Sequence, residues 1–331
     1  MPALNFTRGP DVREQQSARP RIAVVIPCFN EAVTIAKVVT DFRRELPDAD
    51  VVVVDNASTD ETPRVAREAG ARVVRESRRG KGYAMIRGFG EVRDADYVVI
   101  VDGDDTYAAE SVHALLQVAI GGVDMVIGTR LEQFGTGAFP TAHTVGNRLF
   151  TWTVGVLFGV KTKDLFSGYR VLSRQLLRAS PLIAQGFEIE TELTLQARTG
   201  GFDVSEVSTP YRARPAFSSS KLRTFHDGYR ISVALLAFFR DYRPLTFFGI
   251  VSATLLLLAI WAGSYPVFEF LRTGQVLRLP LAVLAVGLTL LSAVAIFGGL
   301  ILSSIRRRSL EITALLVRRS HDDDLRSSSS R

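Results

Sequence analysis

The acidic run Asp102–Asp105 contains three carboxylates and one glycine, and it directly follows an apolar stretch. Carboxylates this close together repel one another unless they share a hard cation. Mg²⁺ and Mn²⁺ take oxygen ligands and usually complete their shells with the phosphates of a substrate. The alternative is an acidic turn in which Asp105 or Thr106 caps a helix. The residues by themselves leave both interpretations open.

Polar residues follow three further apolar runs in the same way. They are Asn30-Glu31, Asp55-Asn56 and Arg130. Carboxylate, amide and guanidinium groups bind sugars, bases and phosphates through hydrogen bonds. A basic stretch at 78–82 adds Lys81, which either contacts a substrate or belongs to a solvated loop.

The apolar runs themselves predict buried β-strands, because β-branched residues dominate them and polar or turn residues end them. The predicted strands are Ile22–Ile26, Val51–Val54, Tyr97–Val101 and Val123–Ile127. Stretches at Ala32–Leu46 and Thr62–Ala69 predict helices between them. Strands that alternate with helices favour an α/β fold with a parallel sheet covered on both faces. Ligands bind beyond the carboxyl ends of such strands, so we expect the polar residues to form one binding rim.

Several other kinds of site are excluded by the same residues. Gly135-Thr136-Gly137 lacks the third glycine of a dinucleotide fingerprint, and Gly80-Lys81 lacks the flanking residues of a P-loop. Cys28 is the single cysteine, so no disulfide forms within the chain, and a clustered Cys/His zinc site is not expected. The net charge of +6 over 331 residues is modest and does not indicate nucleic-acid binding.

Two apolar runs near the C-terminus predict membrane-spanning helices. Leu245–Ala262 is almost wholly apolar, and Leu279–Ile305 contains no charged residue. A helix of about 20 residues crosses the hydrocarbon core of a bilayer, so each run is long enough to span it. Buried core helices are the alternative, but a core helix does not need so long a charge-free run.

Basic residues around the two runs predict their orientation. Arginines precede the first run and follow the second, whereas the connection at 263–278 holds two arginines and one glutamate. By the positive-inside rule, the body and both termini lie in the cytoplasm and the chain is an integral protein of the cytoplasmic membrane. The N-terminus has no apolar segment typical of a signal peptide. The flanking arginines are Arg240, Arg243, Arg306, Arg307, Arg308, Arg318 and Arg319.

The stretch just before the first run mixes basic residues with Val233, Leu236 and other apolar side chains. This pattern predicts an amphipathic helix in the headgroup layer, although a charged face on a soluble helix gives a similar pattern. The resulting organisation is a disordered lead at 1–20, a body at 21–220, an interface helix region at 221–243, a membrane hairpin at 244–305, and a basic and then disordered cytoplasmic tail at 306–331.

Taken together, the motifs resemble those of family 2 glycosyltransferases, and within them the polyprenyl-phosphate branch that includes dolichyl-phosphate mannose and glucose synthases. The resemblance covers about residues 21–305. It implies a GT-A fold, which is Rossmann-like with a mostly parallel sheet, followed by two C-terminal transmembrane helices. The matching segments are Pro27–Glu31, Val54–Asp60, Asp102–Tyr107, Gly128–Arg130, Asp164–Arg170, Gly186–Glu190, Glu206-Val207 and Tyr211–Arg214 leading to Ser220–Leu222.

The resemblance also implies roles for individual residues. Those implied in binding the nucleotide-sugar are Pro27, Asn30, Glu31, Asp55, Lys81 and Asp102. Those implied in catalysis are Asp104, Arg130, Arg214 and Lys221, with Asp102 and Asp104 binding Mg²⁺ or Mn²⁺. Two positions depart from the family pattern. Ala108 stands where the family often has proline, and Phe217 stands where many relatives have a glycine, so the loop that carries Lys221 is expected to close differently.

The implied reaction is the inverting transfer of a sugar from a nucleotide-sugar to undecaprenyl or decaprenyl phosphate, for cell-envelope glycan assembly. A UDP-hexose such as UDP-glucose is the favoured donor and GDP-mannose is the alternative. A membrane-anchored scaffold that binds a nucleotide-sugar without catalysis is a further alternative. Glu190 is a candidate base, or else it lies in a solvated or capping helix start with Glu188 and Glu192. A homo-oligomer through the membrane hairpins is implied by the resemblance alone.

Overall fold

The structure is a computed structural model that describes residues 19–130, 141–160, 162–212 and 224–329. Within these residues seven strands form one sheet in the order β3-β2-β1-β4-β6-β5-β7. The strands are β1 Ile22–Cys28, β2 Asp50–Asp55, β3 Arg72–Arg75, β4 Tyr97–Ile100, β5 Met125–Thr129, β6 Arg170–Ser173 and β7 Val204–Ser208. Every pairing is parallel except those that β6 makes with β4 and β5.

Helices cover both faces of this sheet. They are α1 Ile35–Glu45, α2 Thr62–Glu68, α3 Lys81–Glu91, α4 Val112–Ile120, α5 Thr141–Phe158, α6 Arg174–Ala179 and α7 Ile189–Thr199, with a short 3-10 turn at Ala109–Ser111. Alternate residues of β1 point to opposite faces, so Val24 and Ile26 pack in one core cluster and Val25 in another. The mostly parallel α/β sheet and all four predicted strands are confirmed.

Three strands lie where no strand is predicted. β3 and β7 are edge strands whose residues are partly buried or exposed, so neither has the continuous apolar run of a central strand. β6 begins with the fully buried Arg170, whose guanidinium donates to the carbonyls of Ser167 and Leu165. A buried arginine interrupts the apolar pattern, and its further partner, the Thr194 hydroxyl of α7 at 2.8 Å, is brought to it by the fold.

Two long helices follow the body, α9 Pro244–Thr273 and α10 Leu279–Ser329. Over Pro244–Thr273 and Leu279–Ser309 they are long and apolar enough to cross a membrane, and few of their residues are buried. The two helices pack against each other, and the Ser292 hydroxyl lies 2.9 Å from the Ser252 hydroxyl oxygen. α10 continues to Ser329, whereas the sequence predicts a disordered tail; no glycine or proline follows Ile305 to end the helix.

The helix α8 Thr224–Tyr242 occupies the predicted interface region. Its residues Leu235, Phe238 and Phe239 are buried in the core cluster that contains Phe158, so part of the predicted apolar face packs on the body. Val233 and Leu236 remain exposed. α8 is therefore the element that joins the body to the first long apolar helix.

Candidate active site

The loops after β1 and β2 are bound to each other at the carboxyl end of the sheet. Asn30 has a left-handed backbone, with φ of 54°, and its Oδ1 accepts from the Thr59 backbone N–H at 2.8 Å. The buried Asp55 ends β2, and its Oδ1 accepts from the Ser58 backbone N–H at 3.1 Å. The Asn30 contact thus joins the two loops, and the Asp55 contact fixes the second loop internally, because side-chain amides and carboxylates satisfy the backbone donors of these turns.

Glu31 and Pro27 lie at the same edge. The Glu31 backbone N–H donates to the Thr62 hydroxyl at 2.7 Å, and the residue is largely buried. Pro27 is in β1 beside Val54 of β2, at the end of the paired region. The four residues implied in binding the nucleotide, Pro27, Asn30, Glu31 and Asp55, are therefore brought together.

The acidic turn follows β4 on the neighbouring strand. Asp104 is buried, and its Oδ1 accepts from the Thr106 hydroxyl at 2.6 Å and from the Thr106 N–H at 3.2 Å. Asp102 is partly exposed, and a Cβ on Gly168 would lie only 2.2 Å from its Oδ2. Glycine at position 168 is therefore what allows this backbone to approach the carboxylate of Asp102.

Lys81 connects this turn to a helix far along the chain. Its Nζ lies 2.5 Å from Asp102 Oδ1 and 2.6 Å from Glu190 Oε1. The Lys81 side chain is 10% exposed and that of Glu190 is 3% exposed. The solvated-loop interpretation of Lys81 is therefore wrong, and so is a solvated start for the helix that contains Glu190.

The charges in this cluster decide its protonation. Burial lowers the pKa of Lys81, but the attraction of Asp102 and Glu190 is stronger and leaves that pKa raised. Burial raises the pKa of Glu190, and the Lys81 ammonium only partly offsets the increase. Lys81 therefore carries its positive charge throughout the neutral range and compensates Asp102.

The backbone around Lys81 is held by Asn56, which follows Asp55. Its Nδ2 donates to the Arg78 carbonyl at 2.6 Å, and its Oδ1 accepts from the Gly80 N–H at 2.8 Å. Added Cβ atoms on Gly80 and Gly82 would lie 2.2 and 2.0 Å from the carbonyl oxygens of Gln185 and Ala184. From its position after β2, Asn56 is expected on the rim, but without a role. The glycines on either side of Lys81 are the sequence signal for this close packing.

Arg130 follows β5 and is paired with Asp164. Its Nε and Nη2 lie 2.7 and 2.8 Å from the two carboxylate oxygens, and the Asp164 side chain is fully buried. The Tyr211 ring lies 5.5 Å from the guanidinium carbon. A bidentate pair fixes the plane of a guanidinium, so Arg130 is held in one orientation at the end of β5.

The predicted residues Arg214 and Lys221 lie outside the described residues. The chain leading to them is described as far as Arg212, whose backbone N–H donates to the Thr106 carbonyl at 2.8 Å. Tyr211 also forms an isolated bridge with Tyr107, and the two rings pack edge to face at 5.3 Å. The segment before Arg214 is therefore attached to the acidic turn.

The donor set fits a divalent cation that a substrate helps to bind. The described residues contain no group of three or more His, Cys, Asp or Glu side chains placed to hold a metal ion. Asp102 and Asp104 supply two carboxylates, which is what Mg²⁺ usually takes from a protein when substrate phosphates complete its shell. Asp102 and Asp104 are the residues that would hold such an ion.

Known sequences match this chain over most of the body. The sequence model described as "Glycosyl transferase family 2" matches residues 23–180. Glycosyltransferase AglJ of Haloferax volcanii is 34% identical over 75% of this chain and 82% of its own length. The dolichyl-phosphate hexose transferase of the same organism is 31% identical over 65% of this chain and 92% of its own length. The polyprenol monophosphomannose synthase of Mycolicibacterium smegmatis is 30% identical over 59% of this chain and 78% of its own length.

A solved structure shares the fold. Glucosyl-3-phosphoglycerate synthase from Mycobacterium tuberculosis, in complex with Mn²⁺, UDP and phosphoglyceric acid, superposes with a TM-score of 0.54 at 24% identity. The match covers 67% of this chain and 79% of that protein. The GT-A-like sheet is therefore shared, and the sequence matches establish the relationship. This chain belongs to glycosyl transferase family 2 and is a glycosyltransferase.

Proposed function

We propose that this enzyme transfers a hexose from a nucleotide-sugar to a polyprenyl phosphate at the cytoplasmic face of the membrane, with inversion at the anomeric carbon. The observation that carries the proposal is the arrangement of polar side chains at the carboxyl end of the sheet. The turn with Asp102 and Asp104 lies beside the interlocked loops of Asn30 and Asp55, on a body that leads into two apolar helices of membrane length. A nucleotide-sugar and a lipid phosphate are the two substrates that this combination suits.

The donor would lie across the loops after β1 and β2. Glu31 and Asp55 are the residues we assign to the base and ribose, with Asn30 fixing the loop and Pro27 shaping the pocket. Asp102 and Asp104 would hold Mg²⁺ or Mn²⁺, which acts as a Lewis acid on the leaving diphosphate when it is bound. Relatives and fold neighbours named for a hexose, mannose or UDP support this class of donor.

In the reaction an oxygen of the lipid phosphate attacks the anomeric carbon, and the bond from that carbon to the diphosphate breaks. The electron pair of the broken bond leaves with the nucleoside diphosphate. The acceptor phosphate is mostly dianionic near neutral pH, because its second pKa is about 6. It therefore needs positioning and charge compensation rather than a strong base. Arg130, together with Arg214 and Lys221, is assigned to that compensation.

The close connection between the body and the apolar helices supports a lipid acceptor. α8 ends at Tyr242 and α9 begins at Pro244, so a single residue separates α8 from the first apolar helix. That residue, Arg243, donates through Nη2 to the Phe158 carbonyl at the end of α5. Trp152 on α5 and Leu236 on α8 are more than 60% exposed, which favours contact with a headgroup layer.

The donor and the acceptor are tested together by a transfer assay. The full chain in detergent would receive UDP-glucose, other UDP-hexoses or GDP-mannose with undecaprenyl or decaprenyl phosphate, in Mn²⁺ or Mg²⁺ and then in a chelator. We expect a metal-dependent glycolipid from a UDP-hexose; product from GDP-mannose alone would establish the mannose alternative. Absence of glycolipid with every donor, combined with retained UDP binding, would favour the scaffold alternative.

The metal assignment needs a variant and a matched control. Asp104→Asn is expected to lower turnover at least about 100-fold, because the variant loses one anionic ligand of the cation. Asp94→Asn changes an exposed aspartate away from the rim and should leave turnover unchanged. Full turnover by Asp104→Asn would contradict the assignment.

A further inference from the structure

The acidic turn is attached to α1 by a residue outside every motif described above. Thr34 stands at the start of α1, where a threonine normally accepts a hydrogen bond from the helix backbone. Its side chain makes no such capping bond. The Thr34 hydroxyl instead donates to the Gly103 carbonyl at 2.6 Å, while the Glu31 carbonyl lies farther away at 3.3 Å. A hydroxyl has one proton to donate, so the shorter contact takes it.

This contact acts on the centre of the turn. Gly103 lies between Asp102 and Asp104, and its carbonyl belongs to the peptide that joins it to Asp104. Thr34 and Gly103 are both buried, so water does not replace a lost partner for that carbonyl. The hydrogen bond therefore fixes the peptide that contains the Asp104 Cα atom and holds the glycine that separates the two aspartates.

Lys37 makes a second attachment one turn farther along α1. Its Nζ lies 2.7 Å from Asp105 Oδ1 and 2.8 Å from Asp41 Oδ2. Asp105 has φ of 58°, a left-handed conformation that is unfavourable for a residue with a Cβ atom. The ion pair stabilises Asp105 in this conformation, directly after Asp104.

We infer that Thr34 and Lys37 are positioning residues for the metal-binding turn, which they hold through the Gly103 carbonyl and the Asp105 carboxylate. The inference rests on the proposed function, because it takes Asp102 and Asp104 as the ligands of the cation. Neither residue is assigned a contact with a substrate. Both act on the conformation of the turn rather than on the substrates, so their loss should weaken cation binding more than it lowers maximal turnover.

The primary test measures Mn²⁺ binding in the presence of UDP by electron paramagnetic resonance, together with the KM for Mn²⁺ and kcat. Thr34→Val removes the hydroxyl at nearly constant volume. We expect the Mn²⁺ dissociation constant to rise by roughly ten-fold, as for loss of one buried hydrogen bond, with kcat at saturating Mn²⁺ reduced by less than about three-fold. Thr34→Ser retains the hydroxyl and should restore wild-type binding. Thr40→Val is the control, because the Thr40 hydroxyl donates to the Ala36 carbonyl within α1.

Lys37 gives an independent test on the surface if Thr34→Val does not fold. Lys37→Met should raise the Mn²⁺ dissociation constant by roughly three-fold, since the ion pair is partly exposed. Lys37→Arg keeps the positive charge and should restore most of the wild-type affinity for Mn²⁺. Asp41→Asn removes the other partner of Lys37 and should leave Mn²⁺ binding unchanged. If the folded variants of both positions bind Mn²⁺ as the wild type does, the inference is overturned. If the wild type binds no Mn²⁺ with UDP, the proposed function itself fails.

Discussion

Lys81 and Glu190 form a buried ion pair between residues 109 positions apart, and the same ammonium also contacts Asp102. The pair joins the start of α3 to the start of α7 and brings both to the end of β4. The Glu190 carboxylate is therefore paired with the Lys81 ammonium and is not an isolated base. The Lys81 ammonium, held in place by Glu190, compensates the negative charge of Asp102, and this is the main electrostatic feature of the rim.

Replacing Lys81 by Met should destabilise the enzyme and inactivate it. The Glu190 carboxylate would remain buried without a partner, which typically costs about 3–5 kcal/mol. We expect a lower thermal midpoint and a kcat/KM reduced at least about 100-fold. The double variant Lys81→Met/Glu190→Gln should regain stability, because no buried carboxylate is left without a partner at position 190. It should not regain activity, because Asp102 still lacks the Lys81 ammonium. Arg64→Met is the control, because it breaks only exposed ion pairs, those of Arg64 with Glu61 and Glu68 at α2. Equal stability of the single and double variants would contradict the coupling.

Asn56→Asp should be worse than Asn56→Ala for donor binding. In the wild type, Nδ2 of Asn56 lies 2.6 Å from the Arg78 carbonyl oxygen. The aspartate keeps an acceptor for the Gly80 N–H, but its second carboxylate oxygen replaces Nδ2 and repels that carbonyl oxygen. We expect the KM for the nucleotide-sugar to rise by roughly ten-fold in the Asp variant, and by less in the Ala variant, which adds no repulsion. The reverse order, measured by initial rates at saturating acceptor, would show that the two hydrogen bonds do not govern donor binding.

Gly103→Ala should be rescued in part by Cys28→Ala. A Cβ on Gly103 would lie 2.6 Å from Cys28 Sγ, and its next neighbours are at an ordinary 3.6 Å. The single variant must therefore shift the acidic turn, and we expect kcat/KM to fall roughly ten-fold or more. Removing the sulfur creates the missing space, so the double variant should recover most of this loss. Additive effects of the two changes in a double-mutant cycle would contradict the steric explanation.

Glu76 should contribute an acid-sensitive part of the stability. Hydrogen bonds from the Arg78 side chain and backbone lower the pKa of this carboxyl from 4.5 to about 2. A depressed pKa stabilises the folded state above pH 4.5, and the contribution is lost as the pH falls toward 2. Because Arg78 is 63% exposed and solvent screens the pair, we expect a contribution of no more than about 1 kcal/mol.

The measurement for Glu76 is the thermal midpoint of wild type and Glu76→Gln between pH 7 and pH 3. The difference between the two proteins should be largest at pH 7 and shrink with acidification. A difference that stays constant over this range would show that the charge of Glu76 does not contribute.

Gly299 and Gly298 allow a matched test of the helix hairpin. A Cβ on Gly299 would lie 2.8 Å from the Phe248 Cβ, whereas one on Gly298 would meet nothing within 4 Å. Small residues let two membrane helices approach closely, so Gly299→Leu should separate α9 from α10 and lower the thermal midpoint in detergent. Gly298→Leu should have little effect. Equal effects of the two variants would contradict the packing of the hairpin.

The sequence by itself determined the elements that have a strong local signal. Continuous β-branched runs gave β1, β2, β4 and β5, since a strand buried on both faces must be apolar throughout. The length of the two apolar runs predicted α9 and α10. The position of polar residues at strand ends predicted which residues share the rim, because parallel strands bring their carboxyl ends to one edge.

Only the tertiary structure decided how those residues are paired. The contacts of Lys81 with Glu190, of Arg130 with Asp164 and of Thr34 with Gly103 join segments between 34 and 109 residues apart. No local pattern encodes such pairs, because each depends on how the helices pack on the sheet. The same holds for the burial of Arg170, whose guanidinium donates to the Thr194 hydroxyl 24 residues away as well as to two nearby carbonyls. Burial of a charge is a property of the assembled core, and the sequence specifies it only through that assembly.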